Sequence, residues 1–283
     1  MTVFVNGQFV PEEQAVISVF DRSFLYGDGL FETMRVFKGK PFRWQQHLER
    51  LQSGANFLKI HLPFPADALR AFAEQLISAN KMPESLLRLT LSRGIGQRGY
   101  SPKGADKPSL IMSLHSAPAV APAGPARWRL ITSSPRLPAH EPLAQFKTCN
   151  KLPQILARAE ADVAGADEAL LLNTDGHVVE ASSSNLFWIE DITICTPPLA
   201  SGILAGVTRA VVLEICTSRS LAIREANVGP DQLRRAQGVF LSLSSVGIAE
   251  GLALDGQVLA QSPMVRELGA AYWELVNVEP LNS

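Results

Sequence analysis

The segment from residue 145 to residue 209 constrains the fold of this chain most strongly, because strand and helix signals follow one another there in a clear order. A polar loop carries Lys147. Two apolar runs then flank Thr174-Asp-Gly176, which is typical of a β-hairpin. The stretch from Gly202 to Arg209 leads into an apolar periodic run that predicts an α-helix. This segment therefore predicts a hairpin of two strands followed by a helix.

The same segment contains three groups that an enzyme using pyridoxal 5'-phosphate (PLP) takes from its protein. Lys147 offers an amine that can form a Schiff base, and Glu180 offers an acid. Gly206-Val207-Thr208 opens the predicted helix, where free N–H groups and the helix dipole favour a phosphate. Taken singly, these groups also fit a solvated loop lysine, an exposed strand acid and an ordinary helix start. Their order along the chain favours the PLP interpretation.

Composition limits the classes of function that the chain can have. With 283 residues, of which 46% are hydrophobic, it can form one large domain or two modest ones. A net charge of −1 gives no electrostatic reason to expect nucleic acid or a charged membrane as partner. Its three cysteines have no metal-like spacing and fit a reducing compartment. We therefore expect a soluble, cytoplasmic protein without a metal site, and neither a signal peptide nor a membrane-spanning run is evident.

A proline- and alanine-rich stretch divides the chain. It predicts an interdomain linker over residues 116–126. The linker separates an N-terminal α/β domain over 1–115 from a C-terminal, PLP-binding domain over 127–283.

In the N-terminal half, a strand predicted over 30–37 has an unusual face. Period-two alternation places Phe31, Thr33 and Arg35 on one side of this strand. Such a mixture of side chains suits a pocket wall, and an exposed strand face remains an equal alternative. A helix predicted from Pro41 to about residue 58 carries Arg50, which fits either a phosphate ligand or surface charge.

Other elements follow from periodicity and turn residues. They are a hairpin over 3–10, a helix around 69–77, strands over 86–91, 109–114 and from 128 to 132, a helix over 152–163, a hairpin at 254–257 and a helix over 263–276. A strand from Gly238 breaks into Ser244 and Ser245, which suits a second wall for a phosphate or a polar strand end.

Residues 94–99 match the dinucleotide-binding pattern G-x-G-x-x-G, but the structural context is wrong. The residues that follow, Tyr-Ser-Pro-Lys-Gly, cannot form the helix whose N-terminus would hold a pyrophosphate. The segment is better interpreted as a loop that presents Arg98 and Tyr100.

Several of these motifs, in this order, resemble the class IV (fold type IV) PLP-dependent aminotransferase family. The motifs are Asp21-Arg22, Tyr26-Gly-Asp-Gly-Leu-Phe-Glu-Thr33, His47-Leu-Glu-Arg50, Lys147-Thr-Cys-Asn150, Glu180-Ala-Ser-Ser-Ser-Asn-Leu-Phe187 and Gly202-Ile-Leu-Ala-Gly-Val-Thr-Arg209. This family includes branched-chain and D-amino-acid aminotransferases and 4-amino-4-deoxychorismate lyase. The resemblance implies an α/β (α+β type), two-domain, D-amino-acid-aminotransferase-like fold with the cofactor between the domains, in a homodimer.

The resemblance also implies roles for individual residues. Lys147 would form the Schiff base and move protons, and Glu180 would keep the pyridine nitrogen protonated. The implied phosphate ligands are Arg50, Val207, Thr208, Ser244 and Ser245, and Leu204 would pack against the cofactor ring. The implied substrate contacts are Phe31, Arg35, Arg98 and Tyr100, with the residue-98 loop coming from the neighbouring subunit, and Thr33 would assist an elimination.

Within the family, Arg98-Gly-Tyr-Ser101 and Phe31-Glu-Thr33 resemble the lyases. They imply conversion of 4-amino-4-deoxychorismate to 4-aminobenzoate and pyruvate, in folate biosynthesis. Glu180-Ala-Ser-Ser-Ser-Asn185 is equally close to the aminotransferases, so a branched-chain, D- or other amino-acid aminotransferase using 2-oxoglutarate remains the alternative. A non-catalytic binding protein is disfavoured because Lys147, Glu180 and Arg50 are all present.

Overall fold

The computed structural model of the protein describes residues 1–119 and 124–278. These residues form two compact units: the first comprises 1–118, 146–150 and 276–278, and the second comprises 119–145 and 151–275, as far as they are described. The predicted linker over 116–126 includes residues 120–123, which lie outside the described residues.

The first unit is built on one antiparallel sheet. Its helices and strands are β1 (Thr2–Val5), β2 (Gln8–Pro11), α1 (Arg22–Tyr26), β3 (Gly29–Phe37), β4 (Lys40–Pro41), α2 (Trp44–Leu58), α3 (Ala66–Asn80), β5 (Ser85–Ser92) and β6 (Ser109–Ser116). Within the described chain the sheet has six strands in the order β2-β1-β6-β5-β3-β4. The β1–β2 turn at Asn6-Gly7 has positive φ at both residues, as the predicted hairpin requires.

The two faces of this sheet have different environments. Met34, Val36, Leu87 and Leu89 lie on the face that packs against helices α2 and α3 in the core. Phe31 and Thr33 lie on the opposite face and are only half-buried. The predicted alternation along β3 is therefore confirmed.

Helix α2 begins later than predicted. Pro41 pairs with Val36 in β4, and Arg43 takes a left-handed conformation (φ 55°) immediately before Trp44. The turn out of the strand takes up these residues, so the helix begins at Trp44 instead of Pro41.

The second unit contains a larger, mixed sheet with helices. Its elements are β7 (Ala126–Leu137), α4 (Leu152–Ala164), β8 (Glu168–Asn173), β9 (Val178–Ala181), β10 (Asn185–Glu190), β11 (Thr193–Thr196), α5 (Val207–Ser218), β12 (Ile223–Glu225), α6 (Pro230–Arg234), β13 (Gly238–Leu243), β14 (Gly247–Leu254), β15 (Gln257–Val258) and α7 (Pro263–Val278). The last three residues of α7 belong to the first unit. The described strands run in the order β12-β11-β10-β13-β14-β7-β8-β9, with β15 beside β14. The hairpins and helices predicted in this half are confirmed.

This second sheet closes on itself. Strand β9 pairs with β8 on one side, and Glu180 at its end also pairs with Asn185 at the start of β10. Strands β10, β13, β14, β7, β8 and β9 therefore form a ring. Closure brings Glu180 and the first residue of β10 to the same point of the unit.

Helix α4 forms as predicted, but its apolar face is exposed. The helix buries Ala157 and Ala161, whereas Leu152, Ile155 and Val163 remain largely accessible to solvent. The small side chains Ala157 and Ala161 pack against the sheet, and the larger apolar side chains lie on the exposed side of the helix.

The segment that carries Lys147 belongs to the first unit, although the sequence-based division placed it in the C-terminal domain. Backbone hydrogen bonds attach it to β3: Phe31 N–H donates to the Lys147 carbonyl and Cys149 N–H donates to the Gly29 carbonyl, both at 2.9 Å. These long-range bonds cannot be read from local composition.

Candidate active site

Strand β3 and helix α2 hold Glu32, His47 and Arg50 in one buried cluster. Arg50 Nε and Nη2 donate to the two oxygens of the Glu32 carboxylate at 2.8 and 2.6 Å. Burial alone raises the pKa of Glu32, but the Arg50 charge and the His47 hydrogen bond outweigh it and lower that pKa to about 2. Glu32 is therefore ionised at neutral pH, and its two oxygens fix the plane and direction of the Arg50 guanidinium.

His47 completes this cluster as a neutral ring. Burial lowers its pKa below the ordinary value, although the neighbouring Glu32 carboxylate opposes the shift. His47 Nδ1 lies 2.7 Å from Glu32 Oε2, so Nδ1 carries the proton that it donates. Sequence reasoning missed Glu32 and His47 as site residues. One signal was available, since His47 and Arg50 are three residues apart and share a helix face.

Lys147 lies beside β3 and is not a solvated loop lysine. Thr148 forms a β-bridge with Leu30, so the segment runs along the end of the strand. The Lys147 ammonium lies 4.9 Å from the centre of the Phe31 ring. The Lys147 side chain is half-buried.

The same sheet face carries an arginine that sequence reasoning did not single out. Arg88 on β5 pairs with Thr33 across the strands, and its guanidinium lies 3.9 Å from the Phe31 ring centre. Burial lowers the pKa of Arg88, and the nearby Cys149 thiol opposes this shift. Phe31, Thr33 and Arg88 thus place an aromatic ring, a hydroxyl and a cation on one face of β3 and β5.

The other predicted substrate contacts have different environments. Arg35 is buried, donates to the Pro118 carbonyl at 2.9 Å and lies 3.5 Å from Glu84. Arg98 and Tyr100 are exposed on the loop between β5 and β6. Arg35 therefore does not share the environment of Arg88, and all three assignments to substrate stay predictions.

In the second unit, Glu180 lies where the sheet closes. Its Oε2 accepts a hydrogen bond from Leu204 N–H at 3.0 Å, and Asn185 Nδ2 donates to the Leu204 carbonyl at 2.9 Å. The backbone of Leu204 is thus held on both sides, by an acid and by an amide. Asn185 is a positioning residue that sequence reasoning noted in a motif but gave no role.

Helix α5 begins close to the same amide. Gly206 precedes its first residue, and no side-chain hydrogen bond caps this end among the described residues. A Cβ on Gly206 would lie 1.9 Å from Asn185 Oδ1, so the position admits only glycine without rearrangement. Val207 and Thr208 form the first turn of α5, where backbone N–H groups have no partner within the helix.

The serine residues of this unit lie at the end of β13. Ser244 and Ser245 lie in the turn between β13 and β14 and are half-buried. Ser242 pairs with Asn185 across the sheet, and its Oγ is buried without a hydrogen-bond partner among the described residues. The start of α5, which no side chain caps among the described residues, suits a phosphate, and a carboxylate such as Glu180 suits a pyridine nitrogen.

Residues 29–252 match the family described as Amino-transferase class IV. The chain belongs to this family. A relative, the aminodeoxychorismate lyase of Vibrio harveyi, is 37% identical over 87% of this chain and 89% of its own length. The solved 4-amino-4-deoxychorismate lyase from Pseudomonas aeruginosa is 34% identical, covers 96% of this chain and 98% of its own, and has a TM-score of 0.84. The T.th. branched-chain amino acid aminotransferase, solved with pyridoxamine 5'-phosphate, is 29% identical and has a TM-score of 0.89. The match covers 96% of this chain and 93% of the aminotransferase.

Class IV membership confirms the predicted fold class and the prediction that the protein is an enzyme with a PLP cofactor. Pyridoxamine 5'-phosphate, present in the branched-chain aminotransferase structure, is the amino form of that cofactor. No helix in the described ranges 1–119 and 124–278 is both long and apolar enough to cross a membrane.

Proposed function

We propose that this class IV enzyme is a lyase that converts 4-amino-4-deoxychorismate to 4-aminobenzoate and pyruvate, and that it acts in folate biosynthesis. The observation that carries this proposal is the composition of one sheet face. Lys147 lies over Phe31, and Thr33 is two residues further along the same strand face. Arg88 pairs with Thr33 across the strands, and its guanidinium lies 3.9 Å from the centre of the Phe31 ring. An amine, a hydroxyl and a cation on one face suit proton transfer on a substrate with two carboxylates.

Bound PLP supplies an electron sink for negative charge at the carbon that bears the substrate amine. The chain's own residues account for the remaining requirements. We assign Glu180 to the pyridine nitrogen, and Arg50, Val207, Thr208, Ser244 and Ser245 to the phosphate, with Leu204 packed against the ring. Glu32 then acts through Arg50, whose guanidinium it orients.

Lys147 is assigned the proton transfers. Its amine takes the proton from C4 of the substrate, the C3–O bond to the enolpyruvyl group breaks, and the six-membered ring becomes aromatic. The Lys147 ammonium or the Thr33 hydroxyl returns a proton to the enolpyruvyl group, which leaves as pyruvate. No water or redox partner is consumed, and aromatisation makes the elimination effectively irreversible.

Arg88 and Arg98 are assigned to the two substrate carboxylates, because a guanidinium binds a carboxylate through paired, charge-assisted hydrogen bonds. Arg35 remains a weaker candidate, since its guanidinium already binds the Pro118 carbonyl. Tyr100 would contact the substrate ring.

A second candidate is an aminotransferase that acts on branched-chain, D- or other amino acids with 2-oxoglutarate. The likeness to the T.th. branched-chain amino acid aminotransferase supports it, as does the Glu180-Ala-Ser-Ser-Ser-Asn185 motif. The same Lys147 and the same cofactor would serve this reaction.

We also propose a cytoplasmic homodimer. The exposed apolar residues Leu152, Ile155 and Val163 on α4 support association, because monomers rarely leave so many large apolar side chains in water. Phe20 and Phe24 around α1 are exposed in the same way. Sedimentation of the purified protein as a monomer would contradict this part of the proposal.

A product assay tests the function. The PLP-loaded protein is given freshly generated 4-amino-4-deoxychorismate and, in parallel, L- and D-amino acids with 2-oxoglutarate. Equal amounts of pyruvate and 4-aminobenzoate, with little glutamate, are the expected result. Glutamate without 4-aminobenzoate would assign the protein to the aminotransferases instead.

A further inference from the structure

The backbone of the loop over residues 98–101 is bound by one buried arginine. Arg22, only 3% exposed, donates through Nη1 to the carbonyls of Gly99 and Ser101 at 2.9 and 3.1 Å. Its Nη2 donates to the Tyr100 carbonyl at 3.1 Å. Three consecutive carbonyls are therefore held by a single guanidinium, which its planar fork of donors permits and a lysine ammonium does not.

The guanidinium is itself fixed from behind. Arg22 Nε donates to Asp28 Oδ2 at 2.7 Å, and Arg93 Nε donates to the same oxygen at 2.8 Å. Burial opposes ionisation of Asp28, but hydrogen bonds from the two arginines keep its pKa below the ordinary value. Arg93 is fixed in turn by the carbonyls of Leu58 and Lys59, so the Arg22 head group has little freedom.

Other contacts close the loop around this head group. Tyr26 Oη accepts a hydrogen bond from Gly99 N–H at 3.1 Å, and the Tyr26 ring lies 5.6 Å from the Tyr100 ring. A Cβ on Gly96 would lie 2.8 Å from Arg22 Cδ, which shows how closely the loop approaches the arginine. The carbonyls of residues 99–101 thus bind Arg22, while the Tyr100 side chain is 87% exposed.

We propose that Arg22 is a positioning residue for substrate binding: it holds the 98–101 backbone so that Arg98 and Tyr100 are presented in one fixed geometry. This inference rests on the proposed function in one respect, that Arg98 and Tyr100 contact the substrate. Ordering these loop residues in advance removes their entropic cost from substrate binding. Loss of Arg22 therefore weakens substrate binding while leaving the chemistry at Lys147 intact.

The test compares Arg22→Gln with Arg93→Gln in the PLP-loaded, full-length protein. Both variants remove a buried guanidinium from Asp28, but only Arg22 touches the loop. For Arg22→Gln we expect hydrogen exchange of the 98–101 amides to be at least about 10-fold faster than in the wild-type protein. KM for 4-amino-4-deoxychorismate should rise by about 10-fold or more, while kcat stays within about 3-fold of the wild-type value. Arg93→Gln should change the loop exchange and KM much less, because the bonds from Arg22 to the loop carbonyls remain in place. The absorbance of the Lys147–PLP bond should be unchanged in both variants.

Two further variants keep the test decisive. Tyr26→Phe removes only the acceptor of Gly99 N–H and should shift exchange and KM in the same direction by a smaller factor, even if Arg22→Gln does not fold. Arg22→Lys should retain part of the slow loop exchange and part of the substrate affinity, because it keeps the positive charge but lacks the planar set of guanidinium donors.

Unchanged exchange in both Arg22→Gln and Tyr26→Phe overturns the proposal. So does faster exchange without a rise in KM, or equal effects in Arg93→Gln. If the wild-type protein forms no 4-aminobenzoate, the proposed function fails, but the exchange measurement still decides whether Arg22 holds the loop. KM is then measured with the amino acid that the protein does use.

Discussion

The two units hold their candidate site residues by different means. In the first unit, ionic groups orient one another: Glu32 binds Arg50, and Asp28 binds Arg22 and Arg93. In the second unit, the orienting groups are neutral or belong to the backbone, such as the Asn185 amide and the Leu204 N–H that binds Glu180.

This difference has consequences for stability and for function. Ionic networks in a buried setting are sensitive to pH and to the loss of a single partner, because the remaining charge stays desolvated. Neutral networks lose hydrogen bonds and packing but leave no buried charge. Substitutions in the first unit should therefore have pH-dependent effects, and equivalent substitutions in the second should not.

The largest effect is expected at Lys147, the one group proposed to react covalently. Lys147→Ala should bind PLP without the absorbance of a covalent lysine adduct and should lose turnover by more than about 1,000-fold. Spectra and a turnover assay on the same sample check both parts. Full activity in this variant would remove Lys147 from the mechanism.

Glu32→Gln tests the ionic network of the first unit. Because the folded pKa of Glu32 is about 2 and its ordinary value is 4.5, ionisation stabilises the folded state. The contribution is fully present above pH 4.5 and is lost as the pH falls from there through about 2. Urea unfolding at pH 7 should show a loss of roughly 3 kcal/mol, and the deficit should shrink toward pH 3.5.

Asn173→Ala provides the neutral comparison for Glu32→Gln. Asn173 is buried in the second unit, donates to the Ser201 carbonyl and accepts from the N–H groups of Asp175 and His177. Its deficit in unfolding free energy should be the same at both pH values. A constant deficit for Glu32→Gln, or a pH-dependent one for Asn173→Ala, would break the distinction between the units.

Gly206→Ala tests the phosphate seat of the second unit. A Cβ would lie 1.9 Å from Asn185 Oδ1, so the start of α5 or the amide must move, at a cost of about 2 kcal/mol. We expect PLP to bind about 10- to 100-fold more weakly, as measured by fluorescence titration of the apoenzyme. Gly229→Ala is the matched control: Gly229 precedes α6 in the same way, with no atom closer than 3.8 Å to the added Cβ. Equal PLP affinity in the two variants would argue against a cofactor at α5.

The smallest effect is expected at Arg88, a half-buried cation of the first unit that lies beside the Phe31 ring. Arg88→Gln should raise KM for the dicarboxylate substrate by about 10-fold, with unchanged PLP affinity, because a charge-assisted contact is lost. Arg88→Lys should retain part of the affinity. An unchanged KM in Arg88→Gln would assign the substrate carboxylates to other residues.

The sequence by itself determined most strands, turns and helices of this protein and the motifs that carry its reactive side chains. The alternation that separates Thr33 from Met34, the Asn6-Gly7 turn and the helix behind Gly206 all follow from local rules of periodicity and turn formation. The motifs around Lys147 and Glu180 identified the family, which the match to residues 29–252 confirmed. The roles predicted for the individual site residues remain predictions.

Only the tertiary structure decided which other side chains hold the candidate site residues in place. Glu32 was visible in the sequence, but its pairing with Arg50 depends on how α2 packs against β3. Asn185 gained its role because the second sheet closes between β9 and β10, and Lys147 joined the first unit through backbone bonds to β3. Arg22 reaches a loop 77 residues away. Such contacts depend on long-range packing and pairing, whereas periodicity and turn chemistry act over only a few neighbouring residues.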